Sequence, residues 1–159
     1  MSPEQELMDD LLQQGKASLL GLDEAMAVID QFPKSVDDFG AMNIAGRVGS
    51  TALIKSFEQL EDTISGLFRT ILKALGQSLK GLYALDIGEH MVALSIIDDA
   101  AVWLKIVKLR NALVHEYPSD SERRFEQLAS VHTAIPILSD MFKRAESFIC
   151  VEKKWLNHE

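Results

Sequence analysis

Leu53, Phe57, Leu60, Ile64, Leu67, Ile71 and Leu75 recur at steps of three and four residues, so this stretch must fold as a helix with one buried side. Lys55, Glu58, Glu61, Asp62, Arg69 and Lys73 lie mainly off that stripe. A one-sided helix of this length is unstable alone and has to be covered by others, which makes the rest of the chain the place to look for its partners.

Those partners are legible. Ser2-Pro3-Glu4-Gln5 combines a capping hydroxyl, a first-turn proline and a glutamine that completes a capping box. Met8, Leu12, Leu19, Leu22, Met26 and Ile29 follow at helical spacing, which predicts one long helix, or two collinear ones divided near Gly15 or Gly21, ending near Phe32-Pro33. A loop is expected over Pro33 to Asp38. Leu79, Leu82 and Tyr83 predict a short helix with Gly88 near its end, and Ser95-Ile96-Ile97-Asp98 reads as the start of another that runs to Pro118. Ser119-Asp120-Ser121 reads as a turn and cap before a last helix with the stripe Leu128, Val131, Ile135, Leu138, Phe142, Ala145 and Ile149, kinked at Pro136. The expectation is an all-α fold, an antiparallel bundle of four to five helices in one domain spanning 1–159, with 151–159 a partly ordered tail.

Hydrophobic residues at 47% and charged residues at 25% support a packed core and exclude wholesale disorder. The net charge of −8 argues against a broad surface for duplex nucleic acid, because such surfaces neutralise phosphates with clustered Lys and Arg. The lone Cys150 forms no internal disulfide, and the acidic start of the chain lacks the basic and apolar regions of a signal peptide. No uncharged apolar run approaches the roughly 18 residues of a membrane span. A cytoplasmic protein without a membrane partner is expected. His90, His132 and His158 show no ligand spacing with Cys150, and no glycine-rich loop joins a strand to a helix, so neither metal nor cofactor is expected.

The helix from Ile96 to Tyr117 is not ordinary core. At about 100° per residue its apolar arc gathers Val102, Trp103, Ile106, Val107, Leu109, Leu113 and Val114, and Arg110 falls inside that arc. A guanidinium there needs a carboxylate or a wet groove. Asp99 is a possible partner, as are Glu58 and Asp62 on the second helix. Asn111 and His115 share a neighbouring face with Lys108. Arg110 and His115 stand roughly 140° apart on an ideal helix. Fraying before Pro118, the reach of the arginine, or a second copy of the helix about a two-fold axis would bring them together. Histidine exchanges protons near neutrality and arginine presents a planar fork to phosphate, so the pair suits phosphodiester cleavage. Asn111 is placed to orient the imidazole or to hydrogen-bond a phosphate oxygen, and Tyr117 to stack on a base or to offer its phenol. Trp103 reads as a core or interface anchor. Lys105, Lys108, Arg123 and Arg124 read as a solvated face or a modest basic rim.

Arg110-Asn111-Ala112-Leu113-Val114-His115-Glu116-Tyr117 resembles the Arg, four residues, His, one residue, Tyr pattern of the HEPN superfamily, specifically its HepT-like toxins. The resemblance implies a helical-bundle homodimer and metal-independent cleavage of single-stranded RNA or tRNA, with Arg110 and His115 catalytic and Asn111 and Tyr117 supporting. It also implies a nucleotidyltransferase antitoxin that transfers AMP from ATP onto Tyr117. Two other expectations stand beside it: a non-catalytic subunit that binds a nucleotide or presents substrate to a nucleotidyltransferase, and a helical adaptor in which Arg110 is merely ion-paired.

Overall fold

The computed structural model describes residues 1–116 and 118–157, and the chain is all-α there. Six helices run in the order α1 (Pro3–Val28), α2 (Val36–Gly40), α3 (Ile44–Ala74), α4 (Ala84–Ala93), α5 (Ala100–His115) and α6 (Ser121–Ser147), followed by one π turn over Phe148–Glu152. The helix count exceeds the expected four to five because the loop after Pro33 contains α2, a single turn capped by Ser35. Among the described residues no helix is long and apolar enough to cross a membrane.

The capping box is made as the sequence predicts: Gln5 N donates to Ser2 Oγ, and Ser2 N donates to Gln5 Oε1. The helix it starts is single. Gly15 does not divide it; a Cβ there would collide with the Phe142 ring, so the glycine lets α6 approach α1. α1 ends at Val28, short of Phe32-Pro33, and Phe32 instead stacks on His132 of α6 with ring centroids 3.9 Å apart. Leu11 rests on Gly66, Ser56 on Gly21 and Ala25 on Gly49; numbers rise along α1 as they fall along α3, so the two helices are antiparallel.

Two expected boundaries differ. α3 closes in a Schellman arrangement, with Gln77 N bonded to Leu72 O and Gly76 N to Lys73 O, and Gly76 takes the left-handed φ of 81° that this ending requires. The residues after it, including Leu79 and Leu82, form turns rather than a helix. α4 starts only at Ala84, so Gly88 sits at mid-helix, where α5 comes close through Ala100 and Trp103. Ser95, expected to open the next helix, ends α4 instead: its φ is 60°, and Ile96 N closes onto Met91 O. The start of α5 passes to Asp99, whose Oδ1 accepts from Ala101 N at 2.8 Å. Arg144 of α6 fastens this corner, donating from Nη2 to Ser95 O and from Nη1 to Asp98.

Asp120 caps α6, which continues through Pro136. The segment after the π turn packs down as far as it is described: Leu156 is buried, Trp155 meets Phe148 edge to face, and Gln5 Nε2 donates to Trp155 O. The core runs along the inner side of α3, where Leu53, Phe57, Leu60, Ile64, Leu67, Phe68 and Ile71 are all fully buried. α5 is set onto it by Trp103, which is 1% exposed and meets the Phe68 ring at 4.8 Å. Removing that indole empties the α3–α5 contact. Trp103→Ala is expected to lower stability by about 3–5 kcal/mol, read from urea unfolding; a loss under 1 kcal/mol would mean that α5 is held by something else.

Candidate functional site

α5 presents Trp103, Ile106 and Leu113 to the core, and Arg110 lies on that same side, four residues after Ile106 and three before Leu113. Such a position leaves a guanidinium no water on its inner edge, so it has to find anions within the protein. It finds two on α3. Nη2 lies 2.8 Å from Asp62 Oδ1 and 2.9 Å from Oδ2, and Nε lies 3.4 Å from Glu61 Oε2. Nη1 donates to Asn111 Oδ1 at 3.4 Å, a long bond. Nε is sealed from solvent without a well-directed hydrogen bond, since the approach of Glu61 is off line.

The carboxylates differ in kind. Asp62 faces solvent, with 57% of its side chain exposed. Glu61 is only 3% exposed, because Phe57, Ile64 and Phe68 share its side of α3. Burial drives the Glu61 pKa up, the neighbouring Asp62 anion adds to the rise, and the attraction of Arg110 does not cancel them; the result is about 7. Near neutrality Asp62 therefore carries the main charge balance of Arg110, while Glu61 exchanges a proton beneath it. Glu58, the other α3 carboxylate considered from the sequence, turns to Lys55.

Asp99 is not the partner of Arg110. Its carboxylate is spent on capping α5, and the helix carries Arg110 eleven residues away, about 16 Å along the axis at 1.5 Å per residue.

His115 is the last residue of α5, exposed to solvent, and Glu116 N closes the helix on Ala112 O. The structure thus joins Arg110 to Asn111 and leaves His115 on the outer face. Within one chain His115 makes no hydrogen bond or ion pair with Arg110 among the described residues. Tyr117 lies outside the described residues. Beside the end of α5 a hollow of about 400 Å³ is lined by Leu109, Glu116, Pro118, Arg123 and Glu126. Arg124 leans the other way, over the Phe39 ring of α2, so it does not join Arg123 at this hollow. Trp103 is core and faces no solvent.

Sequence reasoning found Arg110 and named Asp62, but missed Glu61. The signal was present. Phe57, Glu61, Ile64 and Phe68 follow one another at steps of four, three and four, so a carboxylate occupies a core register of α3. An acid in that register, facing a helix with an arginine in its own apolar arc, implies an ion pair between them.

Comparisons with family models, with curated proteins and with solved structures give no match.

The buried acid has a measurable consequence. An acid whose folded pKa is raised binds its proton more tightly in the folded chain, so its contribution to stability is full below pH 4.5 and is lost as pH rises to about 7. The loss amounts to about 3 kcal/mol at one pKa unit per 1.36 kcal/mol. Urea unfolding is expected to show the wild type losing stability relative to Glu61→Gln between pH 5 and pH 8. Parallel pH profiles for the two proteins would contradict this account of Glu61.

Proposed function

We propose that this chain is a metal-independent endoribonuclease toxin of the HEPN type, acting in the cytoplasm as a homodimer on single-stranded RNA or tRNA. The observation that carries the reading is the placement of Arg110: anchored from below by Glu61 and Asp62, it keeps 25% of its side chain in solvent, five residues before an exposed His115 on the same helix. An anchored guanidinium is oriented before the substrate arrives and loses little freedom on meeting a phosphate.

The reaction follows from the chemistry of these groups. Neutral His115 takes the proton of a ribose 2′-hydroxyl, whose oxygen attacks the adjacent phosphorus. The bond to the 5′-oxygen of the next nucleotide breaks, a 2′,3′-cyclic phosphate forms, and a protonated imidazole returns a proton to the departing oxygen. Arg110 stabilises the charge that concentrates on the phosphoryl oxygens. Asn111, already bonded to Arg110, holds the guanidinium edge or a phosphate oxygen. The roughly 140° between Arg110 and His115 on one helix favours a shared site, in which a two-fold contact along α5 sets two arginines and two histidines around one cleft. Val114, 38% exposed on that helix, is an apolar group available to such a contact. The absence of an Arg110–His115 bond within one chain, among the described residues, supports this arrangement.

Under the same reading Tyr117, two residues beyond His115, is the acceptor for AMP. Its phenolic oxygen attacks the α-phosphorus of ATP, pyrophosphate leaves and the phenol proton passes to solvent. A nucleotidyltransferase antitoxin catalyses that step, and the added AMP carries a negative charge that repels RNA.

Purified wild type incubated with tRNA and a chelator is expected to cleave it. His115→Ala, an exposed substitution that leaves the core intact, should lower the rate by about 100-fold or more. Intact RNA with the wild type on every substrate tried would sink the enzyme reading. It would turn the balance to a non-catalytic subunit, in which Asp62 and Glu61 simply neutralise Arg110.

A further inference from the structure

Asp62 belongs to two surfaces. On one side it holds Arg110; on the other it lines a groove of about 430 Å³ between α1 and α3, together with Leu11, Gln14, Ser18, Gln59 and Thr63. The groove lies between two close contacts of these helices, Leu11 with Gly66 and Gly21 with Ser56. Its lining is mixed. Leu11 and the exposed Ala17 offer flat apolar contact, Gln14 and Gln59 offer carboxamides that both donate and accept, and Asp62 offers a carboxylate at the end nearest Arg110. Thr63 is turned inward onto Gln59 O and Gln14 leans on Asp10 through a long bond of 3.4 Å, so the Gln59 amide is the better placed reader.

That combination is what a planar heterocycle with hydrogen-bonding edges requires, and the volume falls within the range of small-ligand sites. Charge adds a direction. Lys55, Gln59, Asp62 and Arg69 follow at steps of four, three and seven along one outward stripe of α3, so an exposed cation stands beyond each end of the groove, Lys55 with Glu58 3.9 Å away at one and Arg69 at the other. A strand lying along α3 would meet Lys55, the groove, Arg110 and Arg69 in turn, which reconciles nucleic-acid contact with a net charge of −8.

We propose that the α1–α3 groove beside Asp62 is a nucleobase subsite, which takes the unstacked base of an RNA nucleotide while its phosphate meets Arg110. The carboxylate end favours a base that presents adjacent N–H donors, and guanine offers N1–H and the 2-amino group on one edge. The choice of RNA as ligand rests on the ribonuclease reading; the groove itself does not.

Guanosine 3′-monophosphate is the probe, because it carries base and phosphate but no bond to cleave; ribose 5-phosphate is the control without a base. Titrations followed by the side-chain amide signals of Gln14 and Gln59 should show the wild type binding the nucleotide at least tenfold more tightly than the control. Ala17→Trp, which fills the groove from an exposed position, should remove that preference without altering the weak binding of ribose 5-phosphate, and Gln59→Leu should reduce it severalfold. Equal nucleotide affinity in wild type and Ala17→Trp, or no nucleotide binding by the wild type, overturns the subsite. The two readings separate cleanly: RNA cleavage with an Ala17→Trp protein that still binds the nucleotide removes the groove and keeps the enzyme. Nucleotide binding blocked by Ala17→Trp, with no RNA cleavage by the wild type, keeps the groove and removes the enzyme.

Discussion

The ion cluster of Arg110 with Glu61 and Asp62 is the constraint on which the rest turns. It ties α5 to α3 across the core edge, and it does so with groups that are costly to bury singly. Hydrophobic contact between the same helices is centred on Trp103 and Phe68. The cluster adds a fixed direction to one guanidinium, leaving its outer edge in water. A purely apolar pairing at that level would pack as well and would offer no cation at the surface, so the polar arrangement points to use rather than to stability alone.

Much of the fold is readable in the sequence because its signals are local. The Ser2–Gln5 capping box, the run from Leu53 to Ile71 and the Asp120 cap each act within a few residues, and each reappears in the structure. The boundaries that shifted depend on longer-range facts. Ser95 looks like a cap in isolation, but the Arg144 bond to its carbonyl helps to hold it in a left-handed turn that ends the preceding helix. Gly88 looks like a helix terminator, yet it is a point of close approach for Ala100 and Trp103. Neither packing partner is within reach of a local pattern.

The site shows the same division. Arg110 stands out from the sequence because a cation interrupts an apolar arc, and the need for a carboxylate follows at once. Which carboxylate answers is decided by how α5 lies on α3. Asp99 fails because it is consumed by its own helix, and Glu61 succeeds because Phe57, Ile64 and Phe68 carry it inward. His115 was placed on the other face by simple helical geometry, and it stands exposed at the end of α5. Within one chain His115 and Arg110 make no hydrogen bond or ion pair among the described residues, and a meeting of the two belongs to the dimer of the proposed function.

Under the proposed function the anchored guanidinium of Arg110 is a phosphate-binding group. Its Nε–H, shielded from solvent, is suited to direct observation by nitrogen-15 NMR during titration with a 2′-deoxy oligonucleotide that cannot be cleaved. The account predicts a resolved Arg110 signal that shifts as the oligonucleotide binds, and loses that response at high salt. An oligonucleotide that binds while the Arg110 signal stays still would contradict it.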